Sequence, residues 1–149
     1  MAKKTKVAKE AAAVSAEKRP KDGGSSFFRE KPIWSFSHLD CRYSKWGFHH
    51  TDALFEEVIT KLRDYERMSC SDIMSASGGR NHGTNSHFEN VSELIPEAQK
   101  RWADLHLEEY DQVFSLRLTG TRRLYGILLD GVFRVVWYDQ NHEIYSLTK

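Results

Sequence analysis

The sequence predicts an α+β domain in which N-terminal helices pack on a C-terminal antiparallel β-meander. Two observations carry this prediction. Residues Asp52 to Arg67 repeat apolar side chains at helical spacing, and residues Val113 to Tyr145 form β-rich runs separated by two turn signals. Because the helical and β-type segments occupy separate parts of the chain, we expect the helices to form a layer against one face of the sheet.

The composition favours a single domain that follows a basic tail. The chain has 149 residues and a net charge of +1. Residues 1–22 hold seven Lys or Arg against three Asp or Glu, a charge of +4 that leaves −3 for the remainder. We therefore predict a disordered basic tail and linker over residues 1–26 and one folded domain over residues 27–149. Any affinity for nucleic acid must come from local placement of charge.

The pattern of cysteines and apolar residues favours a cytoplasmic protein with no membrane association. Cys41 and Cys70 lack the spacing of a disulfide framework, which favours a reducing compartment. No apolar run approaches the ~18 residues of a membrane span, and the N-terminus lacks the apolar stretch of a signal peptide. The histidines and cysteines show no metal-ligand spacing and no phosphate-binding loop is present, so we expect no metal and no cofactor.

The first predicted helix, over Asp52 to Arg67, presents one apolar stripe to the core. That stripe consists of Leu54, Phe55, Val58, Ile59, Leu62 and Tyr65. Ser69 and Asp72 then match a capping-box pattern, which predicts a short second helix through Met74. Pro96 suits the first position of a third helix that ends near Leu105.

Two further segments are assigned from weaker patterns. Residues Ser75 to Asn90 are rich in Gly, Asn, Ser and His and are predicted to form a long loop. Residues Ile33 to Leu39 alternate large and small side chains, a pattern compatible with a short strand.

The two turns of the predicted meander set its register. Asp130-Gly131 is typical of a type I′ hairpin turn, which places Leu129 opposite Val132. The earlier turn, Gly120 to Arg122, is best explained as a three-residue loop with Thr119 opposite Arg123. A two-residue loop would place Arg117 on the apolar face, and its burial argues against that register.

Both turns lead to the same division of side chains between the two sheet faces. One face is apolar and is predicted to face the helices: Phe114, Leu116, Leu118, Leu124, Leu128, Phe133, Val135 and Trp137. The opposite face carries Arg117, Arg123, Tyr125, Arg134 and Tyr138. An antiparallel sheet commonly has one solvated face, so these arginines and tyrosines either bind a ligand or only meet water.

The chemistry of that polar face suits RNA. Guanidinium groups bind phosphate and aromatic rings accept bases. The segment His142 to Tyr145, which either returns as a short strand or ends the meander, adds groups that exchange protons near neutral pH. In RNA cleavage the substrate's own 2′-hydroxyl is the nucleophile, so the protein needs a base, an acid and a cation but no metal.

Three segments of the C-terminal third form one pattern: the run SLRLTGTRRLYGI (Ser115 to Ile127), the hairpin that follows it, and the segment Tyr138 to Tyr145. This pattern resembles the C-terminal meander of the RelE/ParE/YoeB superfamily of toxins. It covers roughly Trp102 to Tyr145. It implies a RelE-like fold and a toxin-like endoribonuclease that acts on mRNA, free or on the ribosome, under the control of a small antitoxin protein.

The resemblance also implies roles for individual residues. Arg117 or Arg123 would stabilise the cleaved phosphate, His142 and Tyr145 resemble a terminal His/Tyr pair, and Glu143 is a candidate base. The polar face would supply the substrate-binding residues Tyr125, Arg134 and Tyr138. The alternatives are a non-catalytic module that binds nucleic acid or protein through the same face, and an accessory protein whose face is only solvated.

Overall fold

The computed structural model describes residues 26–48, 52–76 and 86–145, with the side chains of residue 26 and residues 52–55 outside this description. Within these residues the chain forms three α-helices and one five-stranded sheet, so the predicted α+β class is confirmed. Almost all of the predicted tail and the middle of the predicted loop, residues 77–85, lie outside the described residues. None of the described helices is long and apolar enough to cross a membrane.

The three helices begin where the sequence predicts. They are α1 (Asp52–Tyr65), α2 (Cys70–Ser75) and α3 (Pro96–Asp104). Ser69 caps α2 as expected, because its hydroxyl accepts a hydrogen bond from the Asp72 N–H (3.0 Å) and the Asp72 carboxylate accepts one from the Ser69 N–H (3.4 Å). In α1 the side chains of Val58, Leu62 and Tyr65 are buried, whereas Ile59, predicted for the same stripe, is exposed.

The sheet contains more than the predicted meander. Its strands are β1 (Ile33–Ser35), β2 (His87–Asn90), β3 (Gln112–Arg117), β4 (Arg123–Leu129) and β5 (Val132–Asp139), in the order β1-β5-β4-β3-β2. β1 pairs with β5 in parallel, and β2 adds to the other edge antiparallel to β3. The expectation of a loop up to Asn90 is therefore wrong for its last four residues, which form an edge strand.

The hairpin between β4 and β5 has the predicted turn and the predicted register. Asp130 and Gly131 both have positive φ, at 54° and 80°, as a type I′ turn requires. Leu129 lies opposite Val132.

The turn between β3 and β4 is wider than predicted. Arg123 lies opposite Arg117 rather than Thr119, and the Leu118 N–H donates to the carbonyl of Arg122 (2.9 Å) within the connecting loop. The pairing is thus shifted by two residues. Because side chains alternate with a period of two, this shift leaves every side chain of β3 and β4 on its predicted face.

A β-bulge in β5 overturns part of the predicted face assignment. Gly126 pairs with Val135, but Tyr125 pairs with Trp137, so Val136 is an extra residue in β5. Beyond the bulge, Trp137 lies on the face of Tyr125, and Tyr138 joins the apolar face. The prediction had placed these two aromatic residues the other way round.

Both faces of the sheet are covered, so the expectation of one broadly solvated face is wrong. Helices α1 and α2 pack on the first face, which carries the predicted apolar residues other than Trp137. Helix α3, the segment around Trp46 and the segment around Ile144 pack on the second face. There the rings of Trp46 and Trp102 meet Trp137 edge-on, with centroids 5.3 and 5.6 Å away.

The side chain of Asp40 connects its own segment, which precedes α1, with α3 and β5. Its carboxylate accepts two hydrogen bonds from the Arg101 guanidinium (2.8 Å each) and one from the Trp137 indole (3.0 Å). Burial alone would raise the pKa of Asp40, but the hydrogen bonds from Arg101, Trp137 and the backbone of Arg42 and Tyr43 lower it to about 2. The carboxylate thus fixes the segment before α1 against α3 and β5.

Candidate functional site

Polar side chains gather at one end of the second face, where the apolar cover stops. We call this group the polar cluster; its members are His87, Glu89, Ser115, Arg117, Arg123, Tyr125, Asp139 and Tyr145. The register arranges most of them in two rows that cross the strands. One row runs His87, Ser115, Tyr125, and the next runs Arg117, Arg123, Asp139. Alternation along each strand brings all of these side chains to the same face.

The two arginines of the cluster lie directly opposite each other on β3 and β4. Arg123 is 2% exposed, and its Nη1 atom donates to the carbonyls of Gly120 (2.7 Å) and Arg122 (3.0 Å). Burial lowers the pKa of Arg123, and the charge of Arg117 lowers it further. The buried Nε atoms of both arginines have no hydrogen-bond partner among the described residues. Like charges in opposite positions repel, so an anion placed between them would be favourable.

Asp139 extends the arginine row and organises the end of the chain. It is fully buried and lies opposite Arg123 on β5. Its carboxylate accepts hydrogen bonds from the backbone N–H groups of Glu143 and Ile144, the latter at 2.8 Å. Burial raises the pKa of Asp139. Its other oxygen, Oδ1, has no hydrogen-bond partner within the described ranges. The Asp139 carboxylate thereby holds the terminal segment, His142 to Tyr145, against the arginine row, which consists of Arg117, Arg123 and Asp139 itself.

The edge strand β2 contributes two residues that the sequence prediction missed. The ring of His87 hydrogen-bonds through Nε2 to the carboxylate of Glu89, which is 8% exposed. The Tyr145 hydroxyl also donates to Glu89, and the negative charge of Glu89 is the main reason why the pKa of Tyr145 is raised. The alternation His87-Phe88-Glu89, with the aromatic ring packed on the first face, was the available signal of a strand.

Tyr125 lies in the middle of the cluster but does not offer its ring to a ligand. It is 1% exposed and hydrogen-bonds to the side chain of Ser115. Burial raises the pKa of Tyr125. Since its ring has no open face, it cannot stack on a base in this structure, and the predicted stacking role is not supported by its position.

Tyr138 and Arg134 lie apart from the cluster. Tyr138 is on the first face, where its hydroxyl donates to Glu57 (3.2 Å), a carboxylate that also accepts from Arg122 (2.9 Å). Arg134 lies near Tyr110: burial raises the pKa of Tyr110, and the positive charge of Arg134 opposes that rise. The structure therefore does not bring these two predicted substrate-binding residues together with Arg117 and Arg123.

The terminal segment ends the meander without forming a strand. The carbonyl of Ile144 accepts a hydrogen bond from the backbone N–H of Ile95 (3.0 Å). His142 has a positive φ of 59°, and its Nδ1 atom lies 3.1 Å from the carbonyl oxygen of Tyr145. Glu143 is exposed and accepts a hydrogen bond from the Trp46 indole (3.4 Å). Of the three predicted residues, Tyr145 is the one that reaches the cluster by a side-chain hydrogen bond, while His142 lies close enough for its charge to act on Asp139.

No protein-family model, curated protein or solved structure matches this chain. What the polar cluster can do chemically therefore follows from its own residues. Within the described part of the chain, no group of three or more His, Cys, Asp or Glu side chains is arranged to hold a metal ion. Two adjacent guanidinium groups can bind an anion, and the neighbouring His, Glu and Tyr groups can exchange protons with it.

Proposed function

We propose that this protein is a toxin-like endoribonuclease of the RelE/ParE/YoeB type that cleaves mRNA through the polar cluster. The observation that carries the proposal is the opposed pair Arg117 and Arg123, whose buried Nε donors have no hydrogen-bond partner among the described residues. An RNA phosphodiester is an anion of the size and geometry that paired guanidinium groups recognise. RNA also carries the internal nucleophile that makes cleavage possible without a metal.

The arginine pair stabilises the transition state of cleavage more than it stabilises the bound substrate. When the 2′-hydroxyl attacks, the O2′–P bond forms while the P–O5′ bond breaks, and the phosphorus centre gains negative charge. Donors that already point to that charge, in a site partly shielded from water, stabilise it more than they stabilise the substrate. Arg117 is half-buried and can reach the phosphate, whereas the buried Arg123 supports it from the next strand.

The terminal segment supplies the proton donor in this proposal. His142 is half-buried at the end of the arginine row, and Asp139 holds the backbone of its segment. A protonated imidazole there gives its proton to the leaving 5′-oxygen. The products are a 2′,3′-cyclic phosphate and a 5′-hydroxyl, and no cofactor takes part.

The proposal includes two partners. The substrate is mRNA, either free or presented by the ribosome, and a small antitoxin protein restrains the activity in the cell. Outside residues 1–22 the chain has a net charge of −3, so RNA must be recognised by the local arginine pair and by its ribosomal setting rather than by a general positive field.

The test is a cleavage assay with the full chain, end-labelled mRNA and a chelator, with and without translating ribosomes. We expect cleavage by the wild type, termini that carry a cyclic phosphate, and a loss of about 100-fold or more in Arg117→Ala. Arg63→Ala is the matched control, since this arginine is exposed on α1. The proposal fails if the wild type cuts neither free nor ribosome-bound mRNA, or if Arg117→Ala cuts as fast as the control.

A second function, binding of RNA without cleavage, is favoured by the structural contacts of two cluster residues. Arg123 is bonded to turn carbonyls and Tyr125 is enclosed, which are roles compatible with a rigid binding face. This function predicts RNA affinity that falls with salt, with a slope of about −1.4 in log K against log salt for two phosphate contacts to a single strand. It also predicts no turnover with any RNA, which distinguishes it from the first.

A further inference from the structure

His87 lies at the β2 edge of the polar cluster and is hydrogen-bonded to a carboxylate. Among the described strands, β2 is an edge strand that pairs with β3 alone. The side chain of His87 is 29% exposed, and that of its partner Glu89 is 8% exposed. The imidazole therefore reaches solvent while the carboxylate that holds it does not.

The register places this imidazole beside the arginine pair. His87 lies opposite Ser115 on β3, and Arg117 is the next residue of β3 that points to the same face. Tyr125 lies behind Ser115 on β4, and Tyr145 approaches from the terminal segment and donates to Glu89. The titratable and charged groups near His87 thus include Glu89 on its own strand, Arg117 and Tyr125 on the sheet, and Tyr145, which bonds to the same carboxylate.

We propose that His87 is the residue that takes the proton from the 2′-hydroxyl of the RNA, and that Glu89 is its positioning residue; this rests on the proposed function. A carboxylate bound to an imidazole fixes the orientation of the ring and stabilises the imidazolium that forms when the ring gains a proton. Tyr145 holds the same carboxylate and so limits its movement.

The proton and the bonds balance without a further reactant. The 2′-hydroxyl proton goes to His87 as the O2′–P bond forms, and the departing 5′-oxygen takes a proton from His142. Water then removes the proton from His87 and restores the one lost by His142. His87, on the strand next to Arg117, and His142, near Asp139, therefore act in opposite senses.

The test compares two RNA substrates in single-turnover cleavage by the full chain. One has the natural 5′-oxygen leaving group and the other a 5′-bridging sulfur, which leaves without needing a proton. For His87→Ala we expect a loss of about 100-fold or more with both substrates, because removal of the 2′-hydroxyl proton is needed in each. Imidazole in solution should restore part of the rate. His142→Ala should lose activity with the oxygen substrate and regain it with the sulfur substrate.

Two further variants, one at a different histidine and one with a different substitution at His87, test whether a loss of activity reflects misfolding. His38→Ala, at a histidine whose ring lies against Ser37 outside the cluster, should cleave like the wild type. His87→Gln keeps a donor for Glu89 and should also lose cleavage. Both His87 variants should bind RNA with a 2′-deoxy cleavage site as tightly as the wild type. A Glu89→Gln variant should move the acid limb of the pH–rate profile to lower pH, because the imidazolium loses its carboxylate.

The outcomes separate this inference from the function on which it rests. If the wild type cuts no RNA, the proposed function and the role of His87 are both overturned. If the wild type cuts RNA and His87→Ala cuts it at an equal rate, only the role of His87 is overturned. Recovery of His87→Ala with the sulfur substrate would also contradict it, because that result assigns His87 to the leaving group.

Discussion

Arg117 and Arg123 lie opposite each other on β3 and β4, yet they differ in what holds them. Arg123 is buried and its guanidinium donates to two carbonyls of the β3–β4 turn, at 2.7 and 3.0 Å. Arg117 is half-buried, and its backbone rather than its side chain is held, by Ser86 (2.9 Å) and by the Tyr65 hydroxyl (2.5 Å). The two arginines therefore have separable effects on stability and on ligand binding.

We expect Arg117→Ala to change the free energy of unfolding by less than about 1 kcal/mol, because the side chain leaves behind no broken turn contact and relieves repulsion with its neighbour. Arg123→Ala should lower it by about 2 kcal/mol through the loss of two charge-assisted hydrogen bonds. Urea denaturation of both variants measures the difference. Equal losses would show that the two side chains do not have these separate roles.

Asp40→Ala should lower the free energy of unfolding by about 3 kcal/mol. The substitution removes the carboxylate that accepts hydrogen bonds from the Arg101 guanidinium and the Trp137 indole. Asp104→Ala, which removes an exposed pair with Lys100 on the same helix as Arg101, is the matched control and should cost less than about 0.5 kcal/mol. Denaturant titrations of the two variants provide the comparison. A loss at Asp40 no larger than that at Asp104 would contradict the role of Asp40 as a tie between layers.

Asp40 should also contribute to the acid sensitivity of the fold. Its pKa in the folded state is about 2, below the ordinary value of 3.8, so its contribution is present above about pH 4 and is lost as the pH falls through this window to 2. The amount is about 2 kcal/mol. Thermal unfolding from pH 5 to pH 2 should therefore show a steeper loss in the wild type than in Asp40→Asn. Parallel curves would rule out this contribution.

Gly126→Ala should strongly destabilise the sheet beside the bulge. A Cβ atom at this position would lie 2.1 Å from the carbonyl oxygen of Arg134, which belongs to the backbone of β5 and cannot move aside. We expect a loss of more than about 2 kcal/mol. Gly120→Asn is the control: nothing lies within 4 Å of that Cβ, and Asn tolerates the positive φ of 54°, so the cost should stay below about 1 kcal/mol. Thermal melts that rank the two variants in the opposite order would contradict this account.

Local patterns were sufficient for several elements of the fold. The α2 capping box and the type I′ turn depend on residues within four positions of each other, so neighbouring residues were sufficient to predict them. The predicted loop between β3 and β4 was too short, so Arg123 pairs with Arg117 instead of Thr119. Because this difference is two residues, the prediction of which side chains of β3 and β4 share a face is still correct. Periodicity alone therefore placed Arg117 and Arg123 on one face.

The candidate site needed more than local patterns. His87 and Glu89 belong to a segment whose composition suggests a loop. They form a strand because their backbone pairs with β3. Trp137 and Tyr138 exchange faces because β5 holds one extra residue at Val136. The neighbouring residues predict neither the pairing of β2 with β3 nor the bulge in β5.

By itself, then, the sequence determined the α+β class, the helix starts, the main hairpin and the face that carries Arg117 and Arg123. The tertiary structure decided that this face is buried for most of its length, because α3 and the Trp46 segment cover it. It also decided which polar groups meet the arginines, through the edge pairing of β2 and the Asp139 contact to Ile144. Burial and long-range pairing depend on segments far apart in the chain, whereas alternation along a strand depends only on neighbours.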